Sequence, residues 1–261
     1  MAFTVHAVMP GVWHIVDCMG VCMTLLEGEN AAMLVDTGYG IEDVADFMRH
    51  MTDLPLTVFL THNHHDHAMG ARCFPETYML EADMADWRMF TNDEMRRRVL
   101  TQAIGKNLPV DEKTFLAGEI PLPKVMKPGV IDLGGLTAEI IEAPGHTPGS
   151  AVVYVPERKL LLSGDDWNPC TWLFFPQALG LREYRSKMRG IQQLPFEKVL
   201  CPHREALYDR WMFDDFFNAL TDGNLRAAEP VNIAPYEQID TCQATLPHDQ
   251  VLVFDWAKSG L

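Results

Sequence analysis

Four groups able to bind a metal, His62, His64, Asp66 and His67, fall within six residues, directly after the apolar run Leu56-Thr57-Val58-Phe59-Leu60. A continuous apolar run of that length reads as a buried strand. The cluster therefore sits on a loop that a rigid sheet would hold in place, which is where sites are usually built. Alternate residues of an extended chain project to the same side, so His62 and His64 can grip one ion together. Asp66 and His67 lie past the turn and can face a second. The alternative is a polar surface loop that happens to be rich in histidine, and the spacing suits a metal site better.

The rest of the chain alternates short strands with helices. Strands are expected at 12–16, 21–26 and 31–35, the last two joined by a Gly28-Glu29-Asn30 turn, and a helical pattern runs from Ile41 to Met51. After the cluster comes a helix of about Ala82 to Asn107, followed by strands at 130–133, 137–142, 151–155 and 159–163. A helix at 182–193, a strand at 198–200, a helix of about 207–226 and a closing strand at 251–254 complete the order. β-rich halves with intervening helices thus occur twice, with no low-complexity linker between them. Two similar halves packed sheet to sheet would account for this, as one domain over residues 1–261, although the pattern also suits a generic α/β layering.

Three further candidates stand alone, each where an apolar strand breaks: His146 in Pro144-Gly145-His146-Thr147-Pro148-Gly149, Asp165 in Ser163-Gly164-Asp165, and His203 in Cys201-Pro202-His203. Each is weak by itself, because a lone histidine in a turn is more often solvated or hydrogen-bonded. Their shared position at strand ends is what raises them. His6, His14, His50 and His248 lack that context and read as ordinary structural or surface residues.

Together these motifs resemble the metallo-β-lactamase-fold hydrolase superfamily, which includes glyoxalase II-like thioesterases, lactonases and β-lactamases. The resemblance covers about residues 12–205. It rests on Asp36-Thr37-Gly38, Thr61 through His67, Gly145-His146, Gly164-Asp165 and His203, in the family's order. It implies an α+β fold, an αββα sandwich of two packed mixed sheets with helices on the outer faces. It also implies His62, His64 and His146 on a first metal, Asp66, His67 and His203 on a second, and Asp165 bridging the two, with Asp166 as the alternative to Asp165. Asp36 falls at the family's supporting position beside the ligand loop, and His65 at a variable one.

Five imidazoles and two carboxylates suit two Zn2+ ions, with iron or manganese as other occupants, and the absence of sulfur ligands is unlike a structural zinc clamp. Such a pair would activate a water on a small ester, lactone or thioester, Asp66 serving both as ligand and as the carboxylate that steers the proton. A mono-iron sulfur dioxygenase and a phosphodiesterase are the alternatives. No Gly-x-Ser-x-Gly elbow or P-loop competes. The chain also lacks the helical, basic C-terminal domain with which glyoxalase II binds glutathione.

A small-molecule substrate fits the charge, because 36 acidic against 21 basic residues, a net of −15, repels phosphate backbones and counts against nucleic acid. The basic run Arg96-Arg97-Arg98 reads as a solvated helix face. The six cysteines contain no CxxC pair, the N-terminal residues show no secretory leader, and no apolar run reaches membrane-spanning length. These features point to a cytoplasmic protein with reduced thiols and no membrane partner. The aromatic stretch Trp167 to Pro176 beside Asp165 either packs in the core, as aromatic stripes usually do, or lines an apolar pocket, in which case the substrate has an apolar part.

Overall fold

Strand parity sorts the apolar residues into layers. The computed structural model describes residues 3–261, so Met1 and Ala2 of the segment read for a leader lie outside the described residues. Strands β1 (Thr4–Met9), β2 (Val12–Val16), β3 (Cys22–Glu27), β4 (Ala32–Val35), β5 (Leu56–Phe59), β6 (Tyr78–Met79) and β7 (Lys124–Val125) form a seven-stranded sheet in that order. Its first four strands pair antiparallel and β4 to β7 run parallel. Next come β8 (Gly129–Asp132), β9 (Thr137–Glu142), β10 (Ala151–Val155) and β11 (Leu160–Leu162). The chain then makes β12 (Cys170–Leu173), which belongs elsewhere, before β13 (Lys198–Leu200) and β14 (Tyr208–Asp209) close a six-stranded sheet ordered β14-β13-β11-β10-β9-β8. Within it only β11 and β13 run parallel.

The two sheets face each other. Met33 and Val35 of β4, Phe59 of β5, Val153 and Val155 of β10 and Leu160 and Leu162 of β11 share one buried cluster. The residues between them in sequence point outward. Leu34 and Val58 pack on helix α1 (Val44–Met51), while Val152, Tyr154 and Leu161 join a different cluster on the far side. Period-two alternation with both faces apolar is why these strands read as continuous hydrophobic runs. Each fully buried side chain of this kind contributes about 1.5–3 kcal/mol relative to exposure. In α1 the Asp43 side chain caps the first turn by accepting from the Asp46 amide at 2.9 Å, and Val44, Ala45 and Met48 form the buried stripe.

Three features depart from the sequence reading. The helix expected over 82–107 is two, α3 (Trp87–Thr91) and α4 (Asp93–Gly105), after the short α2 (His65–Ala68). They break at Asn92, whose side chain caps α4 through the Met95 amide at 2.9 Å. The helix expected over 207–226 likewise divides. After α5 (Glu112–Phe115) and α6 (Leu181–Ile191), α7 (Arg210–Ala219) ends before Thr221, which caps α8 (Asp222–Arg226). Finally, a third sheet, β12-β17-β16-β15, is built from β12, β15 (Glu229–Pro230), β16 (Thr241–Leu246) and β17 (Gln250–Asp255). One face of it, carrying Cys242, Ala244, Leu246, Leu252 and Phe254, packs into the cluster that holds α6 and α7.

The basic run on α4 is not a uniformly solvated face. Arg96 is buried at 1% exposure, its guanidinium donating to the carbonyls of Phe115 at the end of α5 and of Ala117 and Gly118 just past it. Those carbonyls give the buried charge its partners.

Candidate metal centre

All seven candidate ligands converge at one end of the two facing sheets. His62 and His64 follow β5, Asp66 and His67 lie in α2, His146 follows β9, Asp165 follows β11 and His203 follows β13. Three sets of side chains have ligand atoms within 4.8 Å of one another: His62, His64 and His146; Asp66, His67 and His203; and His62, His67 and Asp165. The first two sets share no residue. Asp165 lies between them, its carboxylate 3.1 Å from His203, 3.5 Å from His67 and His146, and 3.9 Å from His62. The turn that delivers it uses Gly164 at φ +51°, left-handed backbone that glycine adopts freely. Asp166 faces away, accepting from the His146 amide at 3.0 Å.

Four of the five imidazoles are oriented from behind. Asp36 accepts from His67 Nδ1 at 2.9 Å and from the Thr61 amide at 2.7 Å, while itself holding the rare φ of +65°. Thr37 Oγ1 adds a bond to the His67 carbonyl at 2.7 Å. His146 Nδ1 donates to the Trp172 carbonyl at 2.6 Å, and His62 Nδ1 meets Thr61 Oγ1 at 3.1 Å. With their Nδ1 atoms so occupied, these three rings turn Nε2 toward the common centre, the arrangement by which supporting bonds aim metal ligands. His64 is reversed. Its Nδ1 lies 2.8 Å from His146 Nε2, and its Nε2 lies 2.8 Å from the Gln177 side-chain amide. A Gln177 oxygen turned to this contact accepts from His64 Nε2–H and leaves Nδ1 for the centre. Lys258 Nζ holds the Gln177 turn by donating to the carbonyls of Phe175, Pro176 and Ala178 at 3.2, 2.6 and 3.1 Å.

Charges in the cluster are mutually dependent. Burial and the neighbouring imidazoles hold His62 and His64 well below the usual histidine range. Burial would depress His67 and His203 too, but the carboxylates of Asp165 and Asp66 outweigh it and raise both. Burial disfavours the charge on Asp66, yet His67, His65 and His203 bring it down to about 2. The buried atoms His62 Nε2, His67 Nε2 and Asp165 Oδ1 have no hydrogen-bond partner. Unpartnered buried donors and acceptors carry a penalty that a cation at their meeting point would remove.

The profile of the metallo-beta-lactamase superfamily matches residues 16–203, most of the chain. The chain belongs to this superfamily. Among curated proteins it is similar to the acyl-coenzyme A thioesterase MBLAC2 of Gallus gallus, 26% identical over 166 residues, which is 57% of this chain and 59% of the relative. The match thus spans less than two thirds of that relative's length. Among solved structures it is similar to a metallo-beta-lactamase from Pontibacter korlensis (TM-score 0.59, 18% identity, 83% of this chain and 97% of that one). It is also similar to the metallo-beta-lactamase FIM-1 from Pseudomonas aeruginosa in its mono-zinc form (TM-score 0.58, 17% identity, 82% and 92%). At these identities the two structures share the fold alone.

Sequence reasoning missed a buried carboxylate that ties two of this superfamily member's candidate ligand loops together. Asp83 accepts from the Asn63 amide at 3.1 Å, from Thr147 Oγ1 at 2.7 Å and from the Gly149 amide at 2.6 Å. Nothing in the local sequence around Glu81-Ala82-Asp83 marks it, because its partners are remote in the chain. Burial raises its carboxyl to about 6 against the pull of those three donors. A carboxyl raised on folding binds its proton more tightly in the folded chain, so it stabilises below its ordinary 3.8 and loses that contribution as the pH climbs to about 6. Asp83→Asn cannot ionise. Relative to that variant, the wild type should lose up to about 3 kcal/mol between about pH 4 and pH 6.5, as read by urea unfolding at both values. A stability difference that ignores pH would mean that the three donors keep Asp83 ionised throughout.

The aromatic stretch divides between core and pocket. Trp167 is fully buried against Tyr208 and Phe213, and Leu173 and Phe174 are buried as well. Cys170, Trp172 and Phe175 instead line a cavity of about 520 Å³ over the cluster. Alternation along β12 produces the split, Thr171 and Leu173 facing in while Cys170 and Trp172 face the cavity. The opposite walls come from Phe90, from Met95, Arg98, Val99 and Gln102 of α3 and α4, and from Ala234 to Tyr236. The six cysteines are free thiols, and no helix among the described residues is long and apolar enough to cross a membrane.

Proposed function

We propose that this chain is a dinuclear metal-dependent hydrolase of acyl thioesters, working as one domain over its whole length in the cytoplasm, where its six free thiols would stay reduced. The observation that carries this reading is the pair of disjoint ligand sets with the Asp165 carboxylate between them. The unpartnered Nε2 atoms of His62 and His67 and the all-nitrogen-and-oxygen donor set fit zinc-class ions. His62, His64 and His146 would hold one ion and Asp66, His67 and His203 the other, with Asp165 shared. Bound there, such a pair supplies a water acidified to near neutrality and polarises a carbonyl.

The chain's own groups do the rest. Asp66 faces the cavity and stays ionised, so it is the carboxylate placed to accept and pass on the proton of the attacking water. Tyr39 lines the same cavity, and burial beside Asp66 keeps its phenol protonated, a donor available to the substrate oxygen or the departing sulfur. The aromatic walls exclude bulk water around the acyl group. The thioester linkage is favoured over other esters by the similarity to an acyl-coenzyme A thioesterase.

Elemental mass spectrometry on protein purified without added metal or a nickel column tests the centre. About two equivalents of zinc, together with thiol release from acyl thioesters, is the expected result. About one iron with oxygen uptake would replace the hydrolase with a dioxygenase. Absence of any bound metal would overturn both.

A further inference from the structure

In a chain of net charge −15, the cavity over the cluster carries two guanidiniums, Arg98 and Arg204. Its only acidic lining residues are Asp66 and Asp165, both members of the ligand sets. Neither arginine is held by a strong partner. Arg98 meets Glu94 at 3.6 Å, an exposed pair one helical turn away. Such pairs contribute about 0–1 kcal/mol. Arg204 donates to the carbonyl of His203 at 2.8 Å and has no carboxylate within 4 Å among the described residues. The charge of Arg98 is also felt at the Tyr236 phenol in the same lining.

The same cavity carries an apolar surface. Phe90 and Phe175 lie with ring centres 4.4 and 4.7 Å from His64, and Phe175 continues through Tyr236 at 5.4 Å and Trp172 at 6.2 Å. Trp172 keeps 37% of its surface exposed, an unusual state for so large a ring beside an otherwise buried cluster. One cavity therefore offers aromatic surface, metal ligands and two available forked cations.

We infer that the substrate is an anionic amphiphile: a thioester whose acyl chain lies on Phe90, Trp172, Phe175 and Tyr236 and whose thiol half carries phosphate or carboxylate groups held by Arg98 and Arg204. Guanidiniums bind both kinds of anion through paired N–H donors. The overall field of an acidic protein repels such a ligand at long range, so a local pair of cations is needed to admit it. The inference rests on the thioester reading for the bond that is cleaved but not for the binding preference, which can be measured without turnover.

Isothermal titration calorimetry of the metal-containing protein with two non-hydrolysable thioethers makes the test. S-octyl coenzyme A and S-octyl pantetheine present the same chain and sulfur and differ in the phosphates and the adenosine that carries them, so the salt dependence and the arginine variant below separate the charge from the nucleoside. The charged ligand should bind at least about tenfold tighter in about 20 mM salt, the scale of one charged hydrogen bond. That advantage should shrink in about 200 mM salt. It should also vanish in the Arg98→Gln/Arg204→Gln double variant, whose thermal melting confirms that it is folded. S-octyl mercaptosuccinate separates the two sources of charge: binding as tight as that of the coenzyme A thioether assigns the site to carboxylates, and weak binding assigns it to phosphates. Equal affinity for the charged and neutral thioethers, or a preference that survives in the double variant, would overturn the inference. If the preference holds and no thioester is hydrolysed, the proposed reaction fails and the anion site stands.

Discussion

Asp165→Ala should leave a folded protein that binds less metal and has lost at least about 100-fold in kcat. A loss of 10–100-fold is already typical for residues that merely support a ligand, and Asp165 stands closer than that. Its carboxylate is within 3.9 Å of four imidazoles drawn from both ligand sets. It also raises His67 and His203, so its removal takes away the anion that balances them. The variant should therefore show a second effect, weaker protonation of those two histidines in metal-free protein, visible in their imidazole NMR shifts. Asp165→Asn keeps the shape without the charge and should behave similarly in metal content. Full metal occupancy with wild-type turnover in Asp165→Ala would remove Asp165 from the centre, and Asp166 would become the carboxylate to examine.

Two residues further on, Trp167→Ala should act on stability alone, by about 3–5 kcal/mol. Trp167 has no exposed surface, packs edge-on against Tyr208 at 5.5 Å, and donates its indole N–H to Gln250 Oε1 at 3.2 Å. Truncation empties that space and leaves a buried amide oxygen unpaired. Denaturant unfolding measures the loss. Trp167→Phe, which retains most of the ring volume, should cost less and allow kinetics on well-folded protein. A raised KM in Trp167→Phe with undiminished stability would mean that this ring reaches the substrate after all, as Trp172 and Phe175 are placed to do.

Much of the candidate centre's convergence was legible because its signals are local. Four candidate ligand groups follow one buried strand, and His146, Asp165 and His203 each stand where an apolar strand breaks. What was not legible depends on tertiary contact or on weak periodicity. In β16 the buried apolar positions are Cys242, Ala244 and Leu246, and two of those three are too small to give a strong alternation against Gln243 and Thr245, while the buried Thr241 is polar. β1 buries no face completely, so it has no pattern to read. The break at Asn92 did have a signal, a capping residue followed by Asp93 and Glu94, which the apolar spacing on either side obscured. Arg96 and Arg98 are two residues apart on one helix, yet one is buried under carbonyls and the other opens on the cavity. Only the elements packed against α4 decide that. Gln177, Asp83 and Tyr39 are reached through partners more than twenty residues away or through the cavity itself.

The Lys258 cinch has a consequence for how the protein is made. Its ammonium gathers three carbonyls of the turn that carries Gln177, and Gln177 in turn meets His64, a contact spanning 113 positions. During synthesis His64 emerges nearly two hundred residues before its brace at 258. A nascent chain can build both main sheets while the turn that meets this histidine still lacks its support, since those sheets end by Asp209. The bracing of His64 is thus complete only once position 258 has emerged, and a ribosome stalled before it would hold both main sheets with the candidate centre unbraced on this side.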